Sequence, residues 1–523
     1  MVAIPKVPDI PEEQRTDVVV ALLEIINMQQ ELLRQLRDEI ARLKGQKPKP
    51  DIKPSKLEQG LENKEKDDKP EKRPGSIKRS KTKELQIHET KKIRPEGIPF
   101  GSRFKGYQDY VVQDIIIKLH NTKYRLECWQ TPQGNYVVGK LPEDIGGHFG
   151  PVLVSYILYQ YYHAHVTQPL ILEQILEIGV DISAGQINRI ITEGKERFHA
   201  EKEDILKAGL EVSGHINVDD TGARHEGRNG YCTHIGNELF AWFQSAESKS
   251  RINFLQLLRA GYSDYVVNSD ALNYMEAQGL AGIQIAKFEA FCDVSFENLQ
   301  KWEENLQSLH ITDERHIRIA TEGAILGSVL EHGFNRKLII VSDDAGQFNV
   351  FMHALCWIHA ERTINKLVGF NDRQTEALEE IRCRIWELYV ELNDYKKLPD
   401  KEKKVRIEKR FDEIFTSKTC FVTLNKALKR LHKNKSELLM VLEHPDIPLH
   451  NNLSENDIRE YVKKRKISGS TRSDSGRRCR DTFTSLKKTC RKLGISFWEY
   501  LKDRITGQNA IARLPDLIRS RAV

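Results

Sequence analysis

No uncharged apolar run approaching about eighteen residues occurs in the chain, so no membrane-spanning helix is expected. The best candidate, Val18 to Ile26, is short and broken by Glu24. A secretory leader is missing too, because Lys6, Asp9 and Glu12 stand where its apolar region would fall, and a cytoplasmic protein is expected. The eight cysteines, at 128, 232, 292, 356, 383, 420, 479 and 490, form no CxxC pair. That excludes a disulfide framework or zinc ribbon and leaves reduced, mostly buried thiols. Nor does one charge dominate: +6 is modest for 523 residues, so partners must be read from how charge is distributed. With 39% hydrophobic and 30% charged residues, ordinary globular cores alternate with strongly solvated stretches. The length implies about three or four folded units.

Val19, Leu22, Ile26, Leu33, Leu36, Ile40 and Leu43 recur in alternating steps of three and four, with Gln29 at the one polar seam position. Residues 1–45 therefore read as a coiled-coil helix that pairs two copies, or as an amphipathic helix packed on its own protein. Residues 46–97, rich in Lys, Glu, Asp and Pro, read as a disordered charged linker. Residues 98–146 read as a small strand-rich unit, with strands at Tyr110 to Leu119 and Tyr124 to Trp129 and a turn at Pro132-Gln133-Gly134. Residues 147–205 are helical. There Gly179 separates two apolar-periodic segments, and Ser183 with Gln186 opens the second in a capping-box pattern. This is the pattern of a DNA-reading helix-turn-helix that presents Ser183, Gln186, Asn188 and Arg189, or of a tight helical hairpin.

The chemistry-bearing pattern is a set of acids at strand ends. His215-Ile216-Asn217-Val218 alternates as a short strand does and delivers Asp219 and Asp220. A hairpin follows, Tyr231 to Ile235 and Leu239 to Gln244 around Gly236 and Asn237, then a helix from Ser250 to Ala260. Lys337 to Val341 is a continuous apolar run, as expected of a strand covered on both faces, and it ends at Asp343 and Asp344. Asp270, after the strand-like Tyr265-Val266-Val267, is the alternative second acid. In the segment HNNLSENDIREYVKKRK, Asn451 or Asn452 caps a helix that puts Glu455 and Arg459 on one face. Neighbouring parallel strands bring their carboxyl ends together, so acids far apart in sequence can share one site. Three carboxylates suit two Mg²⁺ or Mn²⁺ ions about 3.5–4 Å apart, the arrangement that serves phosphodiester cleavage. The expected fold is α/β with an RNase H-like core: residues 206–360 its first part, 361–448 a helical insertion, 449–505 its second part with a basic tail, and 506–523 a C-terminal tail.

The blocks VDDTGARH, SDDAGQF, ALCWIHAER and HNNLSENDIR resemble, in order, those of insertion sequence 66 family transposases over residues 150 to 505. The resemblance implies a DDE transposase whose catalytic and metal-holding residues are Asp219, Asp343 and Glu455, with His359, Glu361 and Arg362 near the scissile phosphate. The family's first block usually reads Asp-Glu-Thr, so Asp220 replaces a glutamate here and stays open as a substitute for Asp219. Asp344 and Asp270 stay open beside Asp343. The family's paired-cysteine zinc segment has only Cys128 to represent it, so zinc is not expected there. Cys356 and His359 have CxxH spacing but no partner pair, and a buried cysteine beside an orienting histidine is the expectation.

From Arg459 to Lys492 stand thirteen Lys or Arg against three acids. Arg459, Lys463, Lys464, Arg465, Lys466, Arg472, Arg477 and Arg478, with His359 and Arg362, are the expected DNA-backbone contacts. The partners implied are double-stranded transposon-end and target DNA, a second copy through the coil, and accessory proteins of the same mobile genetic element, in a cytoplasm where the protein joins the nucleoid on binding DNA. A noncatalytic DNA-binding regulator and a structure-selective RNase H-like nuclease are the alternatives.

Overall fold

In the computed structural model the described residues are 87–94, 96–98, 100, 102, 112, 114–142 and 147–522. The expected coiled coil, and the expected linker up to residue 86, lie outside them. The described residues from Lys123 to Ala522 belong to one compact unit, and those up to Thr122 to another.

Strands β1 (Cys128–Gln130) and β2 (Tyr136–Val138) pair antiparallel around the expected turn, where Gly134 takes φ 85°. The strand expected at Tyr110 to Leu119 does not form over its described residues, and the one at Tyr124 to Trp129 shrinks to β1. Ile115, Ile116, Ile117 and Trp129 are all exposed. Two or three short strands without a covering layer give too little burial to extend the pairing.

Four helices follow: α1 (Pro151–Tyr162), α2 (Gln168–Glu177), α3 (Ala184–Thr192) and α4 (Glu196–Val212). Prolines open α1 and α2, where a missing N–H costs nothing. Gly179 turns the chain between α2 and α3 at φ 97°, and the Ser183 hydroxyl accepts the Gln186 N–H at 3.2 Å, which is the expected cap.

β3 (His215–Gly222), β4 (Tyr231–Gly236) and β5 (Ala241–Ala246) form an antiparallel meander, followed by α5 (Arg251–Leu258). The surplus stretch after it folds as β6 (Tyr265–Val267), α6 (Ser269–Ala277), α7 (Gly282–Glu289), β7 (Val294–Phe296), α8 (Leu299–Ser308) and α9 (Glu314–Glu331). Its two strands pair with each other around the buried Trp302, apart from the main sheet. The chain then returns through β8 (Ile339–Ser342) and β9 (Met352–Leu355).

Next come α10 (Trp357–Asn365), α11 (Asp372–Lys397), α12 (Lys401–Phe415), α13 (Val422–Lys433) and the single turn α14 (Lys435–Leu438). The chain closes with α15 (Asn452–Ser468), α16 (Asp474–Lys492), α17 (Phe497–Thr506) and α18 (Leu514–Arg521). The last of these corrects the expectation of a plain tail. Leu514 and Ile518 are fully buried, and the Leu514 N–H donates to Glu201 of α4 at 2.9 Å, because α4 offers an apolar seam that α18 closes.

The main sheet has the order β5-β4-β3-β8-β9, with β8 and β9 parallel to β3. Each face of β8 meets a different core. Ile340 joins Ile216 and Val218, whereas Ile339 and Val341 join Trp386, Leu388 and Phe411 of the insertion. This two-sided burial is why that strand reads as continuously apolar.

The β5 edge is closed by α16. The N–H groups of Ala241, Phe243 and Ser245 donate to Thr489 Oγ1, Ser485 Oγ and Asp481 Oδ2 at 3.2, 2.9 and 2.7 Å. Steps of four along a helix cover about 6 Å and steps of two along a strand about 6.8 Å, so positions 481, 485 and 489 match alternate edge N–H groups. A strand edge that would otherwise invite pairing with another chain is thereby satisfied.

Candidate active site

Register sets Asp219 and Asp343 at the ends of neighbouring strands. The last parallel pair between β3 and β8 is Asn217 with Val341, and each aspartate stands two residues beyond it, Asp219 within β3 and Asp343 just past the end of β8. The strand β3 does not end before the acids as expected. It continues through them to Gly222 because β4 keeps pairing, with Asp219 opposite His234 and Asp220 opposite Thr233.

Glu455 arrives on α15, one turn into the helix. Asn451, fully buried at its start, accepts from the Asn217 amide at 2.9 Å and donates to the Val218 carbonyl at 2.7 Å. Its own N–H donates to Cys356 Sγ at 3.2 Å. These bonds fix α15 to β3 and to the start of α10. A second tie runs from His234, whose Nδ1 meets Ser454 at 2.5 Å and whose Nε2 meets Asp457 at 3.2 Å. Asp457 also pairs with Lys488 at 3.0 Å and Lys492 at 2.9 Å. Sequence reasoning passed over Asn217, His234 and Asp457. The polar Asn217 within an otherwise buried strand was the signal that could have found the first of them.

The electrostatics single out Asp219. Burial is the main cause that pushes its carboxyl up to about 7; Asp343, Asp220 and Glu455 add to the rise, and the Asp220 N–H, 2.7 Å from Oδ1, opposes it. Asp220 is also raised by burial, but both its oxygens are engaged, by Thr233 Oγ1 at 2.5 Å and Gln347 Nε2 at 2.9 Å. Asp343 accepts from the Ala345 N–H at 3.1 Å. Asp344 faces Arg430 and Asn434 of the insertion. Asp270 lies in the first turn of α6, outside the main sheet, and is gripped by both ends of the Arg336 guanidinium.

His359 and Arg362, on α10, do reach Glu455: His359 Nε2 and Arg362 lie 3.6 and 3.4 Å from Oε1. Burial and the Arg362 charge hold the His359 imidazole below its ordinary value. Cys356 is buried, and burial pushes its thiol up to about 11. Glu361 is buried in an ion pair with Arg382 at 2.9 Å. No three His, Cys, Asp or Glu side chains among the described residues stand close enough to hold one metal ion as they are placed.

Of the expected DNA contacts on α15, α16 and the segment between them, Arg459, Lys463, Lys466, Arg472 and Arg478 are exposed. Lys464 is a correction. It is only 3% exposed, its Nζ donates to the Tyr161 carbonyl at 2.7 Å, and it lies 3.3 Å from the centre of the Tyr161 ring. Burial, with Arg480 and Lys487 nearby, pulls its pKa down to about 7. Arg465 bonds Gly222 and Thr221 of β3, and Arg477 pairs with Asp474 at 2.7 Å. Much of the basic stretch thus faces inward, because α16 must cover an edge strand and Lys487 and Lys488 neutralise Glu460 and Asp457. In the α2–α3 hairpin Asn188 and Arg189 are exposed and Gln186 half-buried, while Gln168 bonds Asn188 at 3.2 Å across the two helices. A polar cleft of about 460 Å³ lined by Arg224, Arg228 and Arg477 opens elsewhere, and none of the three acids lines it. No helix among the described residues is long and apolar enough to cross a membrane.

Comparison with known proteins places residues 322–478, which include Asp343 and Glu455, within the family described as "Transposase IS66 family". The "Uncharacterized protein y4jO" of Sinorhizobium fredii (strain NBRC 101917 / NGR234) is 45% identical over 326 residues, 61% of this chain and 100% of that protein.

Proposed function

The chain belongs to the IS66 family of transposases, and from that premise we propose that it cuts and rejoins DNA at one centre built from Asp219, Asp343 and Glu455. What supports this reading is placement: Asp219 and Asp343 stand two residues beyond the last parallel pair of β3 and β8, and Asn451 ties the helix that carries Glu455 to β3. The sheet order, three antiparallel strands followed by two parallel ones, supports an RNase H-like core interrupted by the helices between β9 and α15.

The donor set is all oxygen and rich in negative charge, which fits a hard divalent cation, Mg²⁺ or Mn²⁺. Two such ions, held by Asp219, Asp343 and Glu455, would supply activation of the attacking water or 3′-hydroxyl and stabilisation of the departing oxygen. The chain's own residues do the positioning. Asn217 and Asn451 fix the helix that presents Glu455, Gln347 and Asp220 lock the loop after Asp343, and Arg362 and His359 stand ready beside Glu455 for a phosphate. The α2–α3 hairpin, with Asn188 and Arg189 outward, would read transposon ends. Pairing of two copies through the N-terminal coil and help from accessory proteins of the same element belong to the same reading.

Asp219→Asn, Asp343→Asn and Glu455→Gln should each abolish Mn²⁺-dependent cleavage of a duplex carrying the element's ends, while duplex binding persists. Full cleavage by all three variants rejects the assignment. The alternative reading is a noncatalytic DNA-binding regulator. It predicts binding without strand breaks for the unaltered chain in the same assay.

A further inference from the structure

The DNA-backbone contacts expected from sequence lie on α10, α15, α16 and the turn before α16, yet the helical insertion carries a cleaner cationic surface. Helix α13 has the sequence VTLNKALKRLHK, without an acidic residue. Lys426, Lys429, Arg430 and Lys433 follow spacings i, i+3, i+4 and i+7, so they share one face, and all four are exposed. The opposite face buries Leu424, Leu428 and Leu431 in the core of the insertion, which prevents the helix from rolling the cations inward.

The stripe begins at the acidic centre. Arg430 pairs with Asp344, the residue after Asp343, and Asn434, just past the helix end, donates to the same carboxylate at 3.2 Å. Among the described residues the three lysines form no ion pair of their own. The neighbouring α12 differs: its cations alternate with Glu402, Glu408, Asp412 and Glu413, and Lys409 lies 4.0 Å from Glu413. A solvated helix face of the ordinary kind looks like α12, with mixed signs.

We propose that α13 is a track for the DNA backbone, receiving the phosphates that adjoin the one cut at Asp219, Asp343 and Glu455. The inference rests on the DNA-processing function proposed for those three acids and adds a surface to it. From Lys426 to Lys433 the helix covers about 10 Å of its axis. One strand of duplex carries a phosphate per about 3.4 Å of axis, so the stripe matches about three phosphates. A phosphodiester backbone is the partner that fits, since the cations recur along one exposed helix face with no acid among them.

The test is equilibrium binding of the full-length protein to a linear duplex of arbitrary sequence, in EDTA, over a range of salt. The triple variant Lys426→Ala/Lys429→Ala/Lys433→Ala should lower the slope of log K against log salt by about 2.7, three contacts at about 0.9 each. The control variant Lys401→Ala/Arg406→Ala/Lys409→Ala on α12 should leave the slope within about one contact of the unaltered protein. Circular dichroism and the elution volume of each variant check that α13 still folds, and single replacements, expected to lower the slope by about 0.9 each, serve if the triple does not. An unaltered slope in the α13 variants overturns the track while leaving the catalytic reading in place. A protein with no salt-dependent duplex binding overturns both.

Discussion

The raised pKa of Asp219 makes a prediction that needs no knowledge of the transposon. An unfolded aspartate loses its proton near 3.8, whereas the folded one holds it to about 7, mainly through burial and then through Asp343, Asp220 and Glu455. Below about pH 4 both states are protonated and the site costs nothing; as pH rises the unfolded chain binds fewer protons, so stability falls until the folded carboxyl also ionises near 7. Above that the penalty is constant at roughly 4 kcal/mol, one unit being about 1.4 kcal/mol. Asparagine is neutral throughout. In EDTA the stability gained by Asp219→Asn should therefore grow by roughly 2 kcal/mol between pH 5.5 and 8, read from urea unfolding of the core by tryptophan fluorescence. Adding Mg²⁺ at pH 8 should reverse the order, because a cation that binds only the folded carboxylates stabilises the unaltered protein more than the variant. A gain independent of pH, or equal stabilisation of both proteins by Mg²⁺, refutes the reasoning.

Two further outcomes depend on where side chains point. Lys463→Met should reduce the salt slope of duplex binding by about 0.9, whereas Lys464→Met should not change it, because Lys464 is spent on Tyr161; equal effects of the two would contradict the burial of Lys464. Asn451→Ala leaves the buried Asn217 amide without its partner and should cost about 1–3 kcal/mol in unfolding experiments. It should also slow cleavage with little loss of DNA affinity, since it releases the helix that presents Glu455; unchanged cleavage rates would show that α15 is held by other means.

Local patterns in the chain were enough to mark where the chemistry could lie. Acids at the ends of the runs His215–Val218 and Lys337–Val341, and a helix starting near Asn451, were legible because strand and helix periods are local properties of a few side chains, although the Asn451 side chain turns to β3 and does not cap that helix. The Ser183 cap and the turn at Gly179 were legible for the same reason. Which acid of each pair is free depends instead on contacts made only in the folded chain. Asp220 and Asp344 differ from Asp219 and Asp343 only through Thr233, Gln347, Arg430 and Asn434, residues remote in sequence. The same holds for which cations face solvent. Helix α16 is polar in composition yet deeply buried, because its partners are the unpaired N–H groups of β5, which call for hydroxyl and carboxylate oxygens in place of apolar side chains. Hydrophobic periodicity records apolar burial only, so a helix that buries itself through hydrogen bonds and ion pairs reads as a solvated one until the sheet edge is in place.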